Sequence, residues 1–435
     1  MILFTHTITS RLQYITDFIG KEILGNSFQI LTDKETFRQS YEPKINYSDE
    51  KISDDEFWIK PHSLLFEKNI REQAIACFEQ KEQKVFFKTD GNIPFDIFAA
   101  TFYLLSRYEE YLPYQKDMYG RYAHENSLAF KENFLQRPLI NLWLNDFKNA
   151  LQIKFSNLKL QTSNFKLLPT YDIDIAYSYR SKGFIRNAGG MLKSIVNGQW
   201  SIMSDRLKVL NGSMKDPYDS YEWMDELHEQ YKLQPRYFFL IPYKNSIYDK
   251  NILPNKKTLQ QLIKQQTAKY DIGSHPSWQS GDDSSLMKKE IETLENISGK
   301  KITTSRQHYI RFTLPLTFRY LIEAGIKEDF SIGYGSINGF RASVASSFYW
   351  YDLEKEKATD LLLHPFCYME ANSFYEQKFS AEQSFKEMME YYNIVRSVNG
   401  TFISIWHNNF LGTDKLFKVW KEIYEKFIET VSSPR

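Results

Sequence analysis

The chain has 435 residues, 42% of them hydrophobic, which is enough for two or three cored domains. Lys and Arg number 55 against 54 Asp and Glu, so net charge gives no pull toward nucleic acid or an anionic membrane. Two cysteines, Cys77 and Cys367, exclude a disulfide framework, and no run of about 18 apolar residues marks a transmembrane helix.

Aromatic residues reach 16%, with 29 Tyr and 33 Phe. They read either as large aromatic cores or as surface that stacks on the apolar faces of sugar rings. The first residues, MILFTHTITSRLQYITDFIG, lack a basic segment followed by a sustained apolar one. A soluble cytoplasmic protein without a signal peptide is therefore expected.

Short strands are predicted at MILFTH, SFQILT, KINYS, EFWIKP and KVFFKT, each bounded by polar turns. Phe95, Phe98, Ala99, Phe102, Leu105 and Tyr108 recur at helical spacing in the stretch from Pro94 to Tyr114, which Pro113 ends. A second helix is predicted from Pro138 to Ile153, the last before a boundary near residue 160. Residues 1–160 thus read as a smaller mixed α/β domain with no motif attached to chemistry. No low-complexity linker follows, so the two parts are expected to pack closely.

From residue 166 strands alternate with helices. FKLLPTYDID, RYFFLIP, DIGSH, ITTSRQHYIRF, FSIGYG, TDLLLHPF and TFISIWHNN are strand-like, with amphipathic helical stretches between most of them. Residues 161–435 are therefore expected to form a parallel sheet, open or closed into a barrel, with the site at its C-terminal rim.

Four strand ends carry unusual polar residues. Asp172 and Asp174 share one face of a strand. Two such carboxylates call for a cation or a shared proton; a helix cap plus a turn aspartate is the plainer alternative. His275 follows the apolar strand of DIGSH. In SRQHYIRF, a continuous strand would point Arg306, His308 and Ile310 the same way. His407 ends an apolar run beside Asn408 and Asn409. One sheet rim would gather all four features. Asp and His without Cys suit zinc or another divalent cation. Such an ion activates water and polarises a carbonyl, leaving a second carboxylate as general base and a His as general acid. Neither a G-x-S-x-G elbow nor a G-x-x-x-x-G-K-[ST] loop occurs. Arg341, in the turn-rich SIGYGSINGFRAS, reads as a substrate or phosphate contact or as a surface arginine. His364 reads equally as a rim residue or a structural histidine.

At these residues the chain resembles the polysaccharide deacetylases of the NodB-homology class, carbohydrate esterase family four. TYDID (170–174) resembles the T-F-D-D-G motif, with Ile173 inserted and the Gly absent. HPSWQ (275–279) matches H-[ST]-x-x-H at its first His, with Gln279 where the second would stand. RQHYIRF resembles the Arg-containing motif, and ISIWH (403–407) fits the hydrophobic strand that ends in His. The resemblance spans roughly residues 166–410. It implies a distorted (β/α) barrel of about seven strands and a divalent metal, zinc first. The implied reaction removes acetyl or related acyl groups from an N-acetylated sugar or polysaccharide. Asp172 takes the place of the base, Arg306 that of its partner and His407 that of the general acid. Asp174 and His275 take the places of metal ligands, with the third open between His308, Gln279 and water. Trp278, Tyr309 and Arg341 are expected to meet the carbohydrate. A degenerate barrel that binds carbohydrate or acts as a scaffold is the rival, followed by another metal-dependent amidohydrolase.

Overall fold

The computed structural model describes residues 1–161 and 163–432. Two sheets organise the chain. The first holds four parallel strands, β1 (Ile2–Phe4), β2 (Gln29–Leu31), β3 (Lys44–Tyr47) and β4 (Phe57–Ile59), in the order β2-β1-β3-β4. A hairpin, β5 (Phe78–Gln80) and β6 (Gln83–Val85), turns through Lys81 and Glu82, both at positive φ.

Helix α1 (Ser10–Leu24) was not read in the sequence. It has clear ends: Thr9 accepts the Leu12 N–H, and Gly25 closes it in the left-handed region at φ 71°. Then come α2 (Lys34–Gln39), α3 (Ile97–Leu105), α4 (Leu128–Lys131) and α5 (Leu139–Lys154). The helix predicted through Tyr114 stops at Leu105, because Arg107 adopts φ 52° and a 3-10 turn follows over Tyr108–Tyr111.

The second sheet has nine strands: β7 (Lys166–Ile173), β8 (Arg236–Leu240), β9 (Asp271–His275), β10 (Thr304–Ser305), β11 (Glu328–Asp329), β12 (Phe348–Asp352), β13 (Lys357–Leu363), β14 (Tyr368–Met369) and β15 (Thr401–His407). Their order is β12-β13-β11-β10-β9-β8-β7-β15-β14, parallel throughout except for the antiparallel β12 edge. The connecting and flanking helices are α6 (Phe184–Val196), α7 (Trp200–Leu210), α8 (Tyr221–Tyr231), α9 (Lys257–Lys269), α10 (Ser284–Ser298), α11 (Leu316–Glu323), α12 (Ala381–Ser397) and α13 (Lys418–Ser432).

The parallel α/β expectation holds, but the pairing is not a closed ring of seven strands. Among the described residues no ladder joins β12 or β13 to β14. Residues 364–367 link β13 directly to β14, so these two strands, far apart in the pairing order, lie within the reach of a few residues. Two predicted strands are also much shorter. ITTSRQHYIRF pairs only at Thr304–Ser305 before His308–Ile310 coils into a 3-10 turn, with Tyr309 at φ 60° and Ile310 at φ 56°. FSIGYG leaves the sheet after Glu328–Asp329.

One apolar core runs through both sheets, and most of the aromatic surplus goes into it. Helix α1 packs on β13 and α3 on β12. Tyr14 of α1 lies 4.9 Å from Tyr351, ring to ring, and Phe102 of α3 lies 5.2 Å from the same ring. Arg11, fully buried, donates its Nε to Glu356 at 2.9 Å across the same seam. Both cysteines are free. No helix among the described residues is long and apolar enough to cross a membrane.

Candidate metal centre and its cleft

Register builds the site. Strand β7 lies between β15 and β8, and Asp172 pairs with His407 on one side and Phe238 on the other. One strand further, Leu240 of β8 pairs with His275 of β9. Asp172, His275 and His407 therefore stand along the C-terminal rim of adjoining parallel strands, with Asp174 immediately past the end of β7.

Three imidazoles converge on Asp174. His275 Nε2 is 3.1 Å from its Oδ1, while His308 Nε2 and His407 Nε2 are 3.2 and 3.4 Å from its Oδ2. Each ring is fixed from behind. His275 donates Nδ1–H to the Arg306 carbonyl at 2.6 Å, and His308 donates to Asp249 at 2.8 Å. His407 donates to Glu370 at 2.7 Å, and its backbone N–H reaches the same carboxylate oxygen. Partners that only accept hold the proton on Nδ1, so Nε2 presents a lone pair unless a second proton binds.

Lone pairs facing a carboxylate repel, so a positive charge belongs between them. Without a metal, protons supply it. Burial alone would lower the pKa of His308, but the Asp174 charge and hydrogen bonds to Asp174 and Asp249 carry it up to about 9. Burial likewise works against charge on Asp174, yet His308 and His407 hold it well below the usual carboxylate range. A divalent cation answers the same demand. Asp174, His275 and His308 each offer one ligand atom, all within 4.8 Å of one another. Asp174 Oδ1 is buried and, with the His275 proton held on Nδ1, accepts no hydrogen bond among the described residues. Two imidazoles and one carboxylate, one of whose oxygens has no hydrogen bond, suit a divalent cation with an open coordination position.

Asp172 has a different environment. Its Oδ1 accepts from Arg306 Nη1 at 2.7 Å, and its Oδ2 stands 3.7 Å from His275 Nε2. Arg306 is wholly buried; it donates Nε to the Phe330 carbonyl at 3.1 Å and lies 4.4 Å over the Phe238 ring. Asp172 is thus held chiefly by the arginine and Asp174 by the imidazoles, with His275 beside both.

These groups floor an open cleft of about 620 Å³, also lined by Tyr119, Tyr309, Tyr375 and Phe410. A model of a family of unknown function, DUF7033, matches residues 1–156. No curated protein matches the chain. Similar solved structures include a Mycobacterium smegmatis protein described as a polysaccharide deacetylase. It is 12% identical, covering 63% of this chain and 85% of that one, with a TM-score of 0.42. A polysaccharide deacetylase described from Pseudomonas aeruginosa PAO1 is 13% identical over 62% of this chain and 86% of its own, with a TM-score of 0.40. One from Bacillus cereus is 11% identical over 62% and 89%, with a TM-score of 0.28. All three scores lie below 0.5, too low to carry a function across.

Not every predicted site residue reaches the cleft. Arg341 is buried, donating Nε and Nη2 to Glu110 at 2.8 and 2.6 Å, with its guanidinium 4.0 Å over Phe312. It is neither a surface arginine nor part of the cleft lining; it joins the two parts of the chain. Trp278 stands one layer behind the cleft, 4.7 Å from Tyr248 and 4.1 Å from the Arg311 guanidinium. Gln279 donates to Asp249 and is not part of the cleft lining. His364 stacks on Phe330 at 4.3 Å and pairs with Glu328, a structural role. Tyr309 does line the cleft.

The sequence reading passed over Asp249 and Glu370, the carboxylates that orient His308 and His407. Asp249 lies in the long loop after β8, and Glu370 follows a strand of only two residues. Neither has the strand-end pattern that marks the other groups.

Proposed function

We propose that the protein is a divalent-metal-dependent hydrolase that removes acetyl or related acyl groups from an N-acetylated sugar or polysaccharide. The observation that carries this reading is the convergence of His275, His308 and His407 on Asp174, beside a second carboxylate held separately by Arg306. We take residues 1–160 as an N-terminal α/β domain and 161–435 as the domain that bears the chemistry. The motif resemblance and the aromatic lining of the cleft support a carbohydrate substrate.

Asp174, His275 and His308 hold the metal, zinc first. When bound, it supplies Lewis acidity that polarises the acyl carbonyl and makes water more acidic. Asp172 is the general base: Arg306 fixes its Oδ1 and leaves Oδ2 facing the cleft to take a proton from the attacking water. His407 is the general acid. Glu370 holds its Nδ1–H, so Nε2 is the atom that delivers a proton to the departing amine.

Two measurements on the purified protein test this together: zinc content, and acetate released from an N-acetylglucosamine oligomer. About one zinc per chain with acetate release is expected. Neither zinc nor acetate would leave the carbohydrate-binding scaffold as the better reading. Zinc without acetate, but with hydrolysis of another amide, would move the protein to a different amidohydrolase class.

A further inference from the structure

The segment matched by the family of unknown function, residues 1–156, enters the cleft at one turn, 117–121. Lys116 and Tyr122 close that turn as an antiparallel bridge. The Asp117 carboxylate accepts the backbone N–H groups of Tyr119 and Arg121 at 2.9 and 3.0 Å, and Gly120 supplies the left-handed residue at φ 79°. These bonds define the shape of the turn without a ligand.

Arg121 spends its charge inward. Its Nε meets Asp117 at 2.6 Å, its guanidinium lies 4.7 Å over the Tyr119 ring, and its Nη1 donates to the Tyr309 carbonyl at 3.1 Å. That last bond grips a residue in the left-handed region directly after His308. The Tyr119 and Tyr309 rings stand 5.1 Å apart at 35°, both half-buried and both on the cleft wall. Behind them, Tyr248 packs on both rings, and Trp278 donates its indole N–H to the Tyr119 carbonyl at 3.0 Å.

We infer that Tyr119 and Tyr309 form an aromatic wall that stacks a neutral pyranose ring adjoining the one to be deacetylated. The wall is shared between the N-terminal segment and the metal-bearing part. The inference rests on the carbohydrate reading given above. Aromatic faces with the nearby arginine already neutralised favour an uncharged ring over an anionic ligand. The N-terminal segment then has a stated task, which is to hold one sugar ring beside the reacting one.

The test uses the full chain, loaded with zinc, and two probes: an N-acetylglucosamine tetramer and 4-nitrophenyl acetate. Tyr119→Ala is expected to raise the KM for the tetramer relative to that for the ester by about tenfold, with bound zinc retained. Tyr119→Leu, which keeps apolar bulk without a flat face, is expected to do the same, and Tyr119→Phe to restore the ratio. An unchanged ratio in both the Ala and Leu variants overturns the wall while leaving the deacetylase reading intact. Wild-type protein that hydrolyses the ester but neither binds nor deacetylates the tetramer overturns the carbohydrate reading, and the wall with it.

Discussion

Gln279 donates its side-chain amide to Asp249 at 3.1 Å. The other oxygen of that carboxylate accepts from His308, so Asp249 links Gln279 to one of the imidazoles gathered around Asp174. Burial works against charge on Asp249, but the hydrogen bond and charge of His308 hold its carboxyl down at about 2. It is therefore an acceptor at any physiological pH.

Asp249→Asn can present an amide nitrogen to His308 Nδ1 and turn the imidazole to the tautomer that cannot ligate through Nε2. Zinc affinity is expected to fall by about 10- to 100-fold. Gln279→Ala, which removes one bond to the same carboxylate, is expected to fall less. Competition with a chelator measures both, and wild-type affinity in Asp249→Asn would remove His308 from the ligand set.

Asp172→Asn is expected to lower acetate release by about 10²- to 10⁴-fold while zinc remains bound. It also leaves Arg306 buried beside a neutral partner, and breaking such a pair costs about 3–5 kcal/mol of stability. Denaturant unfolding should show that loss even in protein that retains its metal. Full turnover in the variant would rule Asp172 out as the base.

Gly335 sits against the wall of the cleft. An added Cβ there would lie 2.1 Å from Arg121 Nη1 and 2.7 Å from the Tyr309 carbonyl oxygen. Because the carbonyl is backbone, Gly335→Ala must displace the Tyr309 turn, at an expected cost of about 1–3 kcal/mol. A thermal melt checks this; an alanine variant as stable as wild type would mean that the turn yields freely.

Glu290 gives a pH signature outside the metal cluster. It is buried and accepts the Ser277 N–H at 2.9 Å, and burial pushes its carboxyl from 4.5 up to about 7. The native state therefore holds a proton that the unfolded chain has already released. This contribution is fully present below about pH 4.5 and is lost as the pH rises through 7, up to roughly 3 kcal/mol in all. Glu290→Gln should flatten that decline between pH 5 and 8 in urea unfolding curves, and a slope unchanged from wild type would refute the assignment.

The sequence disclosed the parts of this site that follow sheet logic. Asp172, Asp174, His275 and His407 end apolar runs, and adjacent parallel strands bring such ends together. His308 was singled out on a different ground, as one face of a long strand. Its actual position comes from a 3-10 turn through two residues at positive φ. That conformation leaves no mark in hydrophobic spacing, because tertiary contacts such as the Arg121 bond to the Tyr309 carbonyl hold it. Arg341 was misplaced for the complementary reason: a turn-rich sequence looks exposed until its partner, Glu110, is known from 231 residues away. The ring of about seven strands was an analogy, whereas the pairing depends on where the chain crosses between β13 and β14.

The seam where Arg11 meets Glu356 makes the two sheets poor candidates for separate expression. A C-terminal half expressed alone would leave the Glu356 carboxylate with the Tyr351 hydroxyl but without its arginine, and would uncover the Tyr351 ring. It would also lack one side of its own cleft. Removing residues 1–156 would therefore uncover this seam and take Met118, Tyr119 and Arg121 out of the cleft lining.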